Sequence, residues 1–317
     1  MTDSSTNDTA SSATLRLGTR GSALARWQAD HVTELLKSIG ARVEQVLITT
    51  QGDRNQQGPI GALGGQGVFT KEIQRALLDE EVDIAVHSLK DLPTDPTPGL
   101  ELAAVPERER IADALICRVA SGFDTLPQGA VVGTGSVRRQ AQLLYLRPDL
   151  EMRDIRGNVE TRLQKLDDGQ YDAIILAEAG LTRLGLRDRI TEVLSEKLVM
   201  PAVGQGALGL EIRAGDESTR RWLEPLIDRA ALAEVTAERA LLRTLRGGCM
   251  APVGAVARAG EHTLILEAVV LSHDGQRRVH AVGVASLDDA EQLGGDVAAK
   301  LLDAGAAELI GAARERE

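Results

Sequence analysis

The chain has 317 residues, a net charge of −11, 43 % apolar residues and only 2 % aromatic ones. That length exceeds one ordinary core and predicts two or three domains, and the apolar content excludes wholesale disorder. The acidic balance and the shortage of stacking surface argue against a general nucleic-acid binder, but an acidic chain still binds anions where its cations are gathered in one place.

Residues 1–13, "MTDSSTNDTASSA", are small, polar and acidic. They lack the basic start and apolar core of a signal peptide, so a disordered tail is expected. No apolar run approaches the ~20 residues that span a bilayer, and the expected localisation is cytoplasmic.

From Thr14, "TLRLGTRGSALARWQADHVTELLKSIG" reads strand, Gly turn, helix, with Gly40 ending the helix. "RVEQVLITT" is a second strand, and "QGDRNQQGPIGALGGQG" reads as a mobile loop. "VFTKEIQRALLDEE" follows as a helix and "VDIAVHSLKDLP" as a buried strand with a polar tip. The same grammar then recurs: "AVVGTGSVRRQAQLLYLRP" (strand, Gly turn, helix), "LEMRDI" (strand), "NVETRLQKLDDG" (helix) and "YDAIILAEAGLTRLG" (strand, polar tip). Strands alternating with helices predict mostly parallel sheets in two α/β units. Cys117, in the strand-like "DALICRV", is read as a buried small hydrophobe.

The last third differs. Residues 217–246 read as helix, with Pro225 near the start of a stronger second part. Alternating strands follow, joined at Ala259-Gly260 and Asp274-Gly275, and residues 288–315 close the chain as a helix. This predicts a small α+β domain. Its helix gives way to its sheet at "LRGGCMAP", which holds Cys249.

Four constellations could carry chemistry. Two Gly turns open helices at Ser22 and Ser136, where free N–H groups and the helix dipole attract anions, although each serine also suits a simple N-cap. Between Ser136 and Lys165 stand seven cations against four acids, with Arg138 and Arg139 in the first helical turn. Cations there oppose the macrodipole, which suggests a compensating bound anion. Arg20 holds the equivalent turn of the first unit, and Arg156 and Arg162 belong to the same run; Arg147 and Arg153 suit a solvated face. Lys90-Asp91 follows a buried strand directly, where α/β sites place catalytic groups. Asp91 can serve as acid or base or simply pair with Lys90, and His87 suits a structural hydrogen bond. Finally, Cys249 lies behind Gly247 and Gly248, which let a bulky group approach, and Arg246 would favour its thiolate; an inert loop thiol fits equally. Neither cysteine has metal-ligand spacing, so no metal is expected.

Taken together and in order, "LGTRGSALARWQ", "DIAVHSLKDLP", "GTGSVRRQAQL", "IRGNVETRLQKLD", "PAVGQGALGLE" and "TAERALLRTLRGGCMAPVG" resemble the porphobilinogen deaminase (hydroxymethylbilane synthase) family from about residue 15 onward. The resemblance implies a fold of two solute-binding-protein-like α/β domains plus a small α+β C-terminal domain. Domain 1 would take residues 14–108 plus 204–222, domain 2 residues 109–203 and domain 3 residues 223–317. It implies a transferase joining four porphobilinogen molecules head to tail, with loss of ammonia, on a covalent dipyrromethane cofactor tethered to Cys249. Asp91 would be the catalytic acid/base. Arg20, Lys90, Arg138, Arg139, Arg156 and Arg162 would bind carboxylates, with Ser22 and Ser136 at matching turns. The family expectation is a cytoplasmic monomer with a small-molecule substrate and neither nucleic-acid nor membrane partner. Three positions depart from the family pattern: Gln66 replaces an expected lysine, Gly135 replaces a serine, and Arg246 stands where an acid is common. A non-catalytic, two-lobed anion-binding protein is the competing reading; it leaves Asp91 and Cys249 unexplained.

Overall fold

The computed structural model describes residues 14–49, 70–247 and 251–314. The expected N-terminal tail, the Gly- and Gln-rich loop with Gln66, and the Gly248-Cys249 pair lie outside the described residues.

The first lobe runs β1 (Leu15–Thr19), α1 (Ala23–Ser38), β2 (Val43–Leu47), α2 (Lys71–Leu78), β3 (Ile84–Ser88) and β4 (Leu100–Ala104). The second runs β5 (Asp113–Cys117), β6 (Val131–Gly133), α3 (Val137–Leu146), β7 (Glu151–Arg153), α4 (Val159–Asp167), β8 (Ala173–Ala177), α5 (Glu178–Arg183) and β9 (Glu192–Leu194). The chain then returns to the first lobe as β10 (Leu208–Arg213).

The two five-stranded sheets have equivalent orders, β2-β1-β3-β10-β4 and β7-β6-β8-β5-β9. In each, four strands run in one direction and the fourth in the order runs antiparallel to them. That fourth strand is the crossing one: β10 enters the first sheet after the second lobe, and β5 enters the second sheet directly from the first.

Burial on both faces explains the near-continuous apolar strands. Ile84 and Val86 face α1 through Ala29, Val32 and Leu36. Their neighbour Ala85 points the other way, onto Ile73 and Leu77 of α2, as the two-residue period of a strand requires. The second sheet repeats this, with Ile175 on the Leu143 side and Ile174 on the Leu163 side.

After β10, α6 (Glu217–Leu223) packs on the first lobe, with Leu223 in the core of Ala104, Leu210 and Ile212. The C-terminal unit contains α7 (Arg229–Thr244), the antiparallel strands β11 (Val253–Ala259), β12 (Leu264–Leu271) and β13 (Arg278–Ala285), then α8 (Ala290–Asp303) and α9 (Ala306–Arg314). One face of this sheet packs on α7 and α8 through Leu241, Leu266, Leu293 and Val297. Val256, Val269 and Leu271 on the opposite face meet Ala141 of the second lobe.

Four local readings are corrected. The closing helix is two helices, because Gly305 adopts φ +93° at their junction. The strand expected over "LEMRDI" is only Glu151–Arg153. The two hairpin dipeptides do not form two-residue turns: Ala259 ends β11 and Gly260 opens a connection over residues 260–263, and Asp274-Gly275 lies within residues 272–277. Cys117 is half-buried at the end of β5, where its sulfur accepts a hydrogen bond from the Val119 N–H at 3.4 Å.

Candidate active site

A cavity of about 620 Å3 opens between the lobes. It lies beyond the carboxyl ends of β1, β3, β6 and β8, where loops of an open α/β sheet converge. Among the described residues, six cations line it, Arg20, Lys90, Arg139, Arg156, Arg162 and Arg183, together with one carboxylate, Asp91. Three helix N-termini also reach it, at Ser22, Ser136 and Asn158. Ser22 accepts from the Ala25 N–H at 3.3 Å, and Ser136 accepts from the Arg139 N–H at 3.4 Å. The serines are therefore helix caps and cavity wall at once.

Asp91 ends a single 3-10 turn, Leu89–Asp91, that follows β3 without a linker. The return segment holds this turn: the Leu89 N–H donates to the Ala207 carbonyl at 3.0 Å. From the other side, Arg239 of α7 donates to the carbonyls of Leu92 at 3.1 Å and Pro93 at 2.7 Å. The turn is pinned while the Asp91 carboxylate is exposed to the cavity. Beside it, burial pushes the Lys90 ammonium down to about 8, and Arg139 adds to that push. Lys90 Nζ approaches Gln205 Oε1 at 3.4 Å. Gln205 is fully buried, and its amide donates to the Ile111 carbonyl at 2.7 Å and to Asp113 at 2.9 Å.

Arg138 and Arg139 part company. Asp113 takes Arg138 at 2.8 Å on one oxygen and Arg139 at 2.6 Å on the other. Arg138 also donates to the Met200 carbonyl at 2.6 Å and does not line the cavity. The structure thus places Arg138 behind the wall at which carboxylate binding was expected. The anion that compensates this helical turn is internal, a carboxylate on β5. Burial alone would raise Asp113, but the two guanidinium groups hold it far below the usual carboxylate range. Arg139 does reach the cavity, and its buried Nε makes no hydrogen bond.

On the same wall, Arg162 donates to the Gly157 carbonyl at 2.8 Å. Burial lowers Arg162 to about 10, helped by Arg139. Arg156 pairs with the exposed Asp154 at 3.0 Å. Gly135 has a packing reason for its missing side chain: a Cβ there would lie 2.8 Å from Asp154 Oδ1 and 3.2 Å from the Ile155 carbonyl.

Sequence reasoning missed Arg183, Ser88 and Asp113. Arg183 lies in "LTRLG" at the end of α5 and lines the cavity. Ser88, also in the lining, is held by Gln28 at 2.7 Å. A lone acid opening the apolar strand "DALIC" was the available clue to Asp113.

Of the segment around Cys249, Gly247 and Ala251 are described. Helix α7 ends with Arg246 at φ +52°, and the Gly247 N–H reaches the Leu242 carbonyl at 3.2 Å. A Cβ on Gly247 would lie 2.7 Å from Leu242 and 3.1 Å from Ala251. Gly247 is therefore closely packed against its own chain.

None of the described helices is long and apolar enough to cross a membrane, and no group of metal-ligating side chains occurs among the described residues. Residues 15–221 match the family model of the porphobilinogen deaminase dipyromethane cofactor binding domain, and residues 232–303 match the porphobilinogen deaminase C-terminal domain. The porphobilinogen deaminase of Syntrophotalea carbinolica is 47 % identical over 304 residues, covering 95 % of this chain and 96 % of the relative. That of Acidithiobacillus ferrooxidans is 49 % identical over 298 residues, covering 93 % and 97 %. Among solved structures, the methionine-binding protein MetQ matches at a TM-score of 0.44 and 13 % identity, over 67 % of this chain and 89 % of that one. With both family models in order along it and relatives near half identity over almost its whole length, the chain belongs to the porphobilinogen deaminase family.

Proposed function

We propose that this chain is a hydroxymethylbilane synthase. It joins four porphobilinogen molecules head to tail, releases ammonia at each addition, and builds the chain on a dipyrromethane cofactor bound by thioether to Cys249. The observation that carries this reading is one pinned, exposed carboxylate, flanked by Arg20 and Lys90 and faced across the cleft by Arg139, Arg156, Arg162 and Arg183, in a member of this family.

The described residues fit such a cofactor. Each pyrrole of it carries two carboxylates, and the buried Nε atoms of Arg139 and Arg183 make no hydrogen bond in the described chain. A charge-assisted hydrogen bond contributes roughly 1.5–3 kcal/mol, so a few such contacts hold a polyanion firmly. The cofactor supplies the nucleophilic pyrrole carbon to which the first substrate is joined.

The chain's own groups have separable roles in this reading. Arg20, Lys90, Arg139, Arg156, Arg162 and Arg183 bind acetate and propionate groups, with Ser22, Ser136 and the helix N-termini supporting them. The Asp91 carboxylate faces the reacting pyrrole, accepts its N–H, and stabilises the positive charge that grows there as ammonia leaves. Arg138 acts behind the wall, fixing Asp113 and through it Arg139. Repeated extension past one Asp91 calls for movement between the lobes. Residues 14–108 with 204–222, 109–203 and 223–317 are the three units of that movement. The protein works as a cytoplasmic monomer, as expected of the family, and without a nucleic-acid partner, which its net charge of −11 supports.

Intact-protein mass spectrometry tests the proposal. The expected result is a covalent excess of two pyrrole units that disappears in Cys249→Ser, together with ammonia release from porphobilinogen by the wild type alone. An unmodified protein with full activity would sink it.

A further inference from the structure

Arg183 is carried by α5 of the second lobe, yet the groups that hold its guanidinium come from the first. Its Nη2 donates to the Gly206 carbonyl at 2.7 Å, in the segment that leads into β10. Its Cζ lies 5.5 Å from the centroid of the Trp27 ring on α1. His31, one helical turn further along α1, stacks on the same indole at 5.1 Å and 12°. The arginine is buried, lines the cavity, and has a buried Nε with no hydrogen bond.

A long arginine side chain loses considerable rotamer entropy when it is fixed, and one carbonyl contact does not set the plane of the guanidinium. A flat aromatic face does, since a guanidinium stacks on it while its edge donors remain available. Gly206 cannot easily shift to take over this role. It adopts φ +85°, and a Cβ there would lie 2.3 Å from the Glu109 carbonyl, so the segment is wedged against the connection that leads from β4 to β5.

We infer that Trp27 is a positioning residue: its indole face, backed by His31, fixes the plane of the Arg183 guanidinium across the lobe boundary, so that the remaining donors meet a substrate carboxylate. The inference rests on the proposed function for the identity of that ligand. The contact also ties the aim of a second-lobe cation to the position of the first lobe.

Steady-state kinetics with porphobilinogen on Trp27→Leu, Trp27→Phe, Arg183→Ala and the Trp27→Leu/Arg183→Ala double variant test it. Trp27→Leu should raise KM roughly fivefold, the size expected of a partly desolvated cation–π contact. Trp27→Phe should recover most of the loss, and Trp27→Leu should add nothing once Arg183 is alanine. A double variant whose KM rises by the product of the two single effects would overturn the inference, as would a Phe variant no better than Leu. A second readout is independent of turnover. The chain has two tryptophans, so Trp222→Phe leaves Trp27 as the sole indole, and adding Arg183→Ala should shift its fluorescence emission. Superimposable spectra would overturn the contact. If the wild type consumes no porphobilinogen, the proposed function falls, and the fluorescence pair still decides the placement of Trp27.

Discussion

The first-lobe wall of the cleft presents Asp91 beside Lys90, Arg20 and Ser22, whereas the second-lobe wall presents Arg139, Arg156, Arg162 and Arg183 and no lining carboxylate among the described residues. Yet the sheets behind the walls share one strand order, and β3 and β8 hold the same place in it. After β3 comes a tight 3-10 turn that delivers a carboxylate. After β8 comes a helix whose last residue delivers a guanidinium. Equal scaffolds thus place equivalent loops, and the few residues past each strand end decide whether a wall presents a carboxylate or a guanidinium.

Three substitutions probe that division, and the largest effect belongs to Asp91. Asp91→Ala should lower ammonia release by about 10²–10⁴-fold, the usual contribution of a positioned acid or base, while thermal unfolding stays unchanged. Near-normal turnover would erase the distinction between the walls. On the arginine wall, neighbours should behave differently. Arg138→Ala leaves Asp113 buried with half its charge compensation, which costs about 3–5 kcal/mol and should appear as a lowered Tm. Arg156→Ala breaks only an exposed pair with Asp154; it should raise KM for porphobilinogen several-fold and leave Tm in place. A reversed pattern would return Arg138 to the cleft.

The smallest effect is a pH dependence. Lys90 has a folded value of about 8 against an ordinary 10.5. Its charged form is therefore penalised in the folded state, and its contribution to stability improves as pH rises from about 8 toward the unfolded value. Over the same window the positive charge leaves the cleft. KM should climb about two- to threefold above pH 8 in the wild type, and Lys90→Arg should flatten that limb. An identical profile in both proteins would remove Lys90 from carboxylate binding.

The strand–Gly–helix repeats were legible because local turn chemistry and a two-residue strand period are written in adjacent residues. Asp91 was legible for the same reason, standing directly after an apolar strand. Arg138 and Arg139 were not separable. Successive helix positions point about 100° apart, and which one meets the cavity depends on where Asp113 lies, 25 residues from Arg138 in sequence. Arg183 was missed because its partners, Trp27 and Gly206, come from segments on either side of it that only the folded lobes bring together.

The crossing strand has a consequence for how the protein is made. β10, residues 208–213, lies between β3 and β4, so the first sheet stays incomplete until long after its other strands have left the ribosome. The second sheet has all its strands by residue 194. The lobe that begins second is therefore the first that can close. At ~5–20 residues per second of synthesis, the facing edges of β3 and β4 wait on the order of ten seconds for their partner. Through that interval the nascent chain carries open, apolar strand edges, which are templates for wrong pairing.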